Sequence, residues 1–113
     1  MKFNLKKKCI DCGKKEFYYG AKLNKEIKDT YLGMGFLDPN EEKRKIGPGR
    51  HHEEILCILN GKVQVRSKKD EEILDKGEVY FMEDGKKIRL KNLTDKRAYF
   101  VIAGGHTKHH HHH

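Results

Sequence analysis

Glu54-Ile55-Leu56-Cys57-Ile58-Leu59-Asn60-Gly61, followed by Lys62-Val63-Gln64-Val65-Arg66, is the stretch on which the fold turns. Five consecutive apolar residues are too few for an ordinary helix, and bounded by turn residues they read as a buried strand. Asn60-Gly61 is the strongest short hairpin signal a sequence offers, because both residues accept positive φ at little steric cost. The expectation is an antiparallel hairpin joining residues 55–59 to residues 63–66.

The same punctuation continues in both directions. Upstream, Phe17-Tyr18-Tyr19 opens one run, and residues 30–37 make another that Asp38-Pro39-Asn40 stops. Downstream, Glu72-Ile73-Leu74 precedes Asp75-Lys76-Gly77, and Val79-Tyr80-Phe81-Met82 runs to Glu83-Asp84-Gly85. Ile88 and Leu90 alternate with Lys87, Arg89 and Lys91, giving one apolar face. Residues 98–103 form a last run after Thr94-Asp95-Lys96. Helical periodicity is almost absent, so seven or more short strands at this spacing predict an all-β sandwich or barrel. Residues 41–49 are polar and read as a loop able to edge a binding site. There is no repeat and no linker.

Composition bounds what such a fold can do. The chain has 113 residues, enough for one domain and not for two. Residues 109–113 are all histidine and read as an affinity tag. Charged residues make up 37% and apolar residues 35%, a lean core under a solvated surface. No apolar stretch approaches membrane-spanning length, and the opening residues lack the apolar centre of a signal peptide, so a cytoplasmic, non-membrane protein is expected. The formal charge of +8 invites a nucleic-acid reading. Counted by region, residues 1–28 carry nine lysines against three carboxylates, and residues 29–113 carry 16 basic against 14 acidic groups. The basicity along the chain therefore belongs to the N-terminal segment. Lys6-Lys7-Lys8 come without interleaved arginine or a stacking motif, and read as a solvated strand edge kept from self-pairing.

Cys9 and Cys12 form a C-x-x-C spacing able to grip zinc, but a closed site needs two further ligands and no second C-x-x-C exists. Reduced, unpaired thiols or an incidental disulfide are the default. Cys57 lies within an apolar run and reads as core.

The turn spacing resembles the cupin superfamily. Its first motif ends in a glutamate, six residues and a glycine, matched by Glu54, residues 55–60 and Gly61. Its second is followed by Gly77, then Glu83 in place of a proline, Gly85, Ile88 in place of a histidine, and Asn92. The resemblance covers about residues 29–103 and implies a single-domain jelly-roll β-barrel over residues 29–105. A basic segment with an added strand (residues 1–28) would precede it, and a tail with the tag (residues 106–113) would follow. Gly61, Gly77 and Gly85 are expected at positive φ in the turns between strands.

The resemblance also implies a metal held by three histidines and a glutamate inside the barrel. Position by position only Glu54 is retained; the histidine positions fall on Pro48, Arg50 and Ile88, with His51 and His52 displaced by one or two residues. On a regular strand Arg50, His52 and Glu54 share one face. Either a bulge lets His51 and His52 join Glu54 around a divalent transition metal (zinc, manganese, iron or nickel), or Arg50 pairs with Glu54 in its place. The second arrangement is favoured, because an interior glutamate needs a partner and arginine supplies one.

Three functions follow, in this order. The first is a small-molecule-binding protein with its site inside the barrel at Arg50, His52 and Glu54, and Ile88 on the apolar wall. The second is a metal-dependent dioxygenase or isomerase using His51, His52 and Glu54. The third, well below both, is nucleic-acid binding through residues 1–28. A homodimer is expected by analogy with small cupins. No catalytic residue and no substrate can be named from the sequence.

Overall fold

The computed structural model describes residues 2–107; the tag at 109–113 lies outside them. The described residues form one helix, α1 (Leu5–Asp11), and nine strands: β1 (Glu16–Tyr19), β2 (Tyr31–Leu37), β3 (Arg44–Ile46), β4 (His52–Ile58), β5 (Lys62–Arg66), β6 (Glu71–Asp75), β7 (Val79–Met82), β8 (Ile88–Asn92) and β9 (Ala98–His106). They make two antiparallel sheets, a larger one in the order β1-β2-β9-β4-β7 and a smaller one in the order β3-β8-β5-β6. The sheets are not closed into a continuous barrel by strand pairing.

Alternation decides what lies between them. Along β4 the buried residues are Glu54, Leu56 and Ile58; along β5, Val63 and Val65; along β8, Ile88, Leu90 and Asn92. Leu56, Ile58, Phe100 and Ile102 of the larger sheet join Val63, Val65 and Leu90 of the smaller in a single core cluster. Fully burying a side chain of this kind contributes roughly 1.5–3 kcal/mol relative to leaving it in water. Arg44 fastens the two sheets at one end. Its Nη1 donates to Glu16 Oε2 at 3.0 Å, its Nε and Nη2 form a fork on Glu41 at 2.8 and 2.9 Å, and Nη2 also reaches the Phe36 carbonyl at 3.1 Å. Buried Asn92 closes the other side of this corner, donating to the carbonyls of Asp38 and Lys96 while accepting from Thr94.

The glycine turns take the expected backbone, with φ of +83° at Gly61, +86° at Gly77 and +68° at Gly85. Three sequence expectations are corrected. Asn60-Gly61 is not a hairpin: β4 pairs with β7 and β9, β5 pairs with β6 and β8, and the turn is a corner between sheets. The reason is that the Asn60 side chain is committed elsewhere, accepting from Tyr99 N–H at 2.8 Å and donating to the Arg97 carbonyl at 2.9 Å. The lysine-rich segment is a helix and not a strand edge. Asn4 caps it by accepting from Lys7 N–H at 2.9 Å, and Leu5 and Cys9, four residues apart, pack on Met34 and Phe36. A seven-residue helix is marginal alone, so this packing is what holds it. Finally, residues 41–49 include the short strand β3, pinned by Arg44.

Candidate functional site

One register row across the larger sheet builds the interior site. Tyr31 of β2 lies opposite Gly104 of β9, Gly104 opposite Glu54 of β4, and Glu54 opposite Met82 of β7. A Cβ at Gly104 would stand 2.5 Å from the Tyr31 hydroxyl, so only glycine there lets the tyrosine lie across β9. Its hydroxyl then donates to Glu54 Oε2 at 2.6 Å. A second glycine, Gly33, makes the same room for the Tyr18 ring, whose hydroxyl donates to Glu16.

Glu54 is 6% exposed. Its Oε1 is buried and, among the described residues, has no hydrogen-bond partner. Burial pushes its carboxyl up from the ordinary value, opposed by the Tyr31 hydrogen bond and by the charges of Lys87 and His52. Burial, and then the hydrogen bond to Glu54, also raises Tyr31, which stays a proton donor. An unpaired buried carboxylate oxygen is costly.

His52 begins β4 and stands beside His106 of β9, ring centroids 4.3 Å apart, with the Tyr31 ring 6.0 Å from His52. Its Nδ1 donates to the Arg50 carbonyl at 3.0 Å. The His106 ring and backbone N–H both engage Asp29. The strand does not continue regularly upstream: His51 has φ +67°, its N–H donates to Asp84 Oδ1 at 2.8 Å, and Asp84 also accepts from Thr107. That turn carries Arg50 off the strand to an exposed position. The expected Arg50–Glu54 pair is therefore not formed, and Tyr31 supplies the partner instead.

The metal set is not assembled either. Of the four implied positions, Glu54 alone keeps a donor, and one of its oxygens is taken by Tyr31. The opposite wall is buried Ile88, and His51 sits in the turn. Among the described residues no group of three or more His, Cys, Asp or Glu side chains is placed to hold a metal ion. The donor chemistry does not fit the metal that the resemblance implies. Cys9 and Cys12 are free thiols whose hydrogens point at backbone carbonyls, and burial, reinforced by Cys12, raises Cys9 above its ordinary value.

Beside the Glu54 row, a cleft of about 610 Å³ opens at the mouth between the sheets, with Met82, Ile88 and Tyr80 on its walls and Gly85 and Lys87 at its edge. Arg50 borders it, its Cα 3.9 Å from where a Cβ at Gly85 would lie. Sequence reasoning singled out neither Tyr31 nor His106. The available signals were Gly104-Gly105 and Gly33, since glycine inside a strand marks a close approach.

Two facing antiparallel sheets in this order, with an open mouth and interior-facing polar groups at one end, define a small jelly-roll scaffold. The fold is that of the cupin superfamily. No family model matches the sequence, and no curated protein matches it. Among solved structures, the chain is similar to the cupin domain of Schizosaccharomyces pombe Cnp3 (TM-score 0.62, 20% identity, 69% of this chain and 53% of that one). It is also similar to a predicted oxalate decarboxylase from Thermotoga maritima (TM-score 0.65, 16% identity, 80% and 78%) and to KdgF from Halomonas sp. (TM-score 0.59, 12% identity, 71% of each). The chain spans about half the length of the Cnp3 chain it matches. Among the described residues no helix is long and apolar enough to cross a membrane.

Proposed function

We propose that the protein binds a small polar molecule at the mouth of the sandwich, over Met82 and Ile88, with Glu54 as the polar anchor. The observation that carries this reading is Glu54 Oε1, buried and lacking a donor, on a carboxyl group whose other oxygen is fixed by Tyr31. A ligand O–H or N–H would satisfy it, and a site that hydrogen-bonds its ligand with a buried group discriminates strongly against analogues lacking that group. Arg50 at the rim offers a bidentate fork to a carboxylate or phosphate on the same molecule. The polar anchor, the apolar wall and the open mouth match the usual make-up of a small-ligand site.

The test is a thermal-shift panel of sugars, sugar acids, amino acids and nucleosides at millimolar concentration on tag-free protein. At least one compound should raise the midpoint in the parent protein, and Glu54→Gln should lose most of that rise. A panel without a hit, or a hit indifferent to Glu54→Gln, removes this reading.

Two further proposals accompany it. A homodimer would form through the apolar outer face of the larger sheet, where Leu32, Ala103, Ile55 and Phe81 lie in one register row. A cytoplasmic location is supported by three cysteines that are all free thiols.

A further inference from the structure

The outer face of the smaller sheet carries a feature that the linear charge count does not contain. Lys45 lies directly opposite Arg89, and Arg89 directly opposite Arg66, so three cations stand side by side on three adjacent strands. With strands about 4.8 Å apart they fall within roughly 10 Å of one another. Like charges directly opposite across a ladder destabilise the sheet. Only Arg66 is offset locally, by Glu71 at 3.2 Å; Lys45 and Arg89 have no carboxylate within 4 Å among the described residues.

The surroundings extend the row in place of balancing it. Of the fifteen residues lining the mouth cleft, seven are Lys or Arg and two are carboxylates. A shallower cleft on the outer face is lined by four cations and one carboxylate. The two clefts share Arg66 and Arg89, so one cationic track runs across the sheet and over its rim. Tyr80, half-buried, lines the rim part of that track, with its hydroxyl tied to Asp70 at 3.1 Å.

We propose that this track, centred on Lys45, Arg89 and Arg66, binds the backbone of a single-stranded nucleic acid. A clustered cationic row that costs stability is explained by an anionic partner that neutralises it. The track continues from one cleft into another, which suits an extended polyanion better than a compact one. Concave clefts with an aromatic wall suit a single strand, whose phosphates follow the charge and whose bases stack. An anionic membrane would favour cations beside a broad exposed apolar anchor, and the contiguous exposed apolar row lies instead on the larger sheet, while the smaller sheet presents the lone exposed Ile73 among the described residues. The inference does not rest on the small-ligand reading, whose anchor is the interior Glu54: all three row residues also line the mouth cleft, but their row lies on the outer face of the smaller sheet. It also differs from binding through residues 1–28, since α1 packs on the larger sheet.

The experiment is fluorescence anisotropy of a labelled (dT)20 strand with tag-free protein at 50 and 200 mM salt. Binding should weaken as salt rises. The combined variant Lys45→Gln/Arg66→Gln/Arg89→Gln should bind at least tenfold more weakly at low salt. Its log–log salt slope should flatten by about 2, from the loss of three phosphate contacts at about 0.7 each. A thermal midpoint equal to or above the parent's would confirm that the variant folds. Lys6→Gln/Lys7→Gln/Lys8→Gln should leave binding within twofold. The proposal is overturned if the row variant binds like the parent or if only the Lys6–Lys8 variant loses binding. It is equally overturned if a duplex of the same length, polyglutamate or phosphatidylserine vesicles bind through the row as tightly as (dT)20.

Discussion

The two outer faces of this sandwich share a core and a strand architecture yet differ in the row of side chains each presents to solvent. On the larger sheet, the row Leu32–Ala103–Ile55–Phe81 leaves Leu32 44%, Ile55 50% and Phe81 56% exposed, and Val79 beside them 61%. α1 covers only the neighbouring end, over Met34 and Phe36. On the smaller sheet the corresponding row is Lys45–Arg89–Arg66, ending on Glu71 of β6. Scattered exposed apolar residues are ordinary, but a contiguous apolar row across four strands marks a contact surface. A cationic row repels a second copy of itself. Self-association is therefore proposed for the larger sheet, and an anionic partner for the smaller one.

Making the apolar face polar tests the first half of that contrast and should have the largest effect. Leu32→Glu/Ile55→Glu should convert a dimeric parent into a monomer by sedimentation velocity at micromolar concentration. Two carboxylates would face their own copies across a two-fold contact. Both positions are exposed, so near-UV circular dichroism should stay that of the folded chain. A parent that sediments as a monomer would leave the apolar row without the occupant proposed for it.

Making the cationic face mixed tests the second half, with a smaller effect. Arg89→Glu replaces two like-charge neighbours by two opposite-charge ones, each cross-strand pair contributing roughly 0.2–1 kcal/mol. The expected gain is about 1 kcal/mol, or roughly 4–8 °C in the thermal midpoint of a domain this size. The gain should shrink in high salt, because exposed charges are screened. An unchanged or lowered midpoint in dilute buffer would mean that the row carries no repulsion.

How much of this was legible in the sequence depends on how far apart the deciding residues lie. Gly61, Gly77 and Gly85 were readable because positive φ is a local demand, and Ile88 because alternation places it inward. Asn60 misled because its partners, Tyr99 and Arg97, come from a strand 37 residues or more away. Arg50 was expected beside Glu54 on a regular strand; the turn at His51 that removes it is held by Asp84, itself on a distant loop. The Tyr31–Glu54 bond depends on two successive registers, β2 with β9 and β9 with β4. The cationic row was invisible for a further reason. Lys45, Arg66 and Arg89 lie 21 and 23 residues apart in the chain, so no local window holds the row, and the count of 16 basic against 14 acidic groups over residues 29–113 hides it.

Between the two faces, Glu54 gives the smallest effect and the one most specific to the interior. Its carboxyl is raised by burial, so the native state holds this proton to a higher pH than the unfolded chain does. Between the ordinary carboxylate value and the raised one, the native state binds more protons, and stability falls as pH rises through that window. The contribution is fully present below the ordinary value and is lost once pH passes the raised one. Glu54→Gln keeps an oxygen for the Tyr31 hydroxyl but cannot ionise. Its stability relative to the parent should therefore improve across that window and level off above it. Denaturant midpoints of both proteins from pH 3.5 to 8 give the difference curve, in which shared titrations such as Asp38 with Lys15 cancel. A flat difference would mean that Glu54 titrates as it does in the unfolded chain, and the buried oxygen would not be the demand on which the interior site rests. A rise confined to neutral pH would tie that demand to the ionised form, the form in which Oε1 accepts from a bound donor.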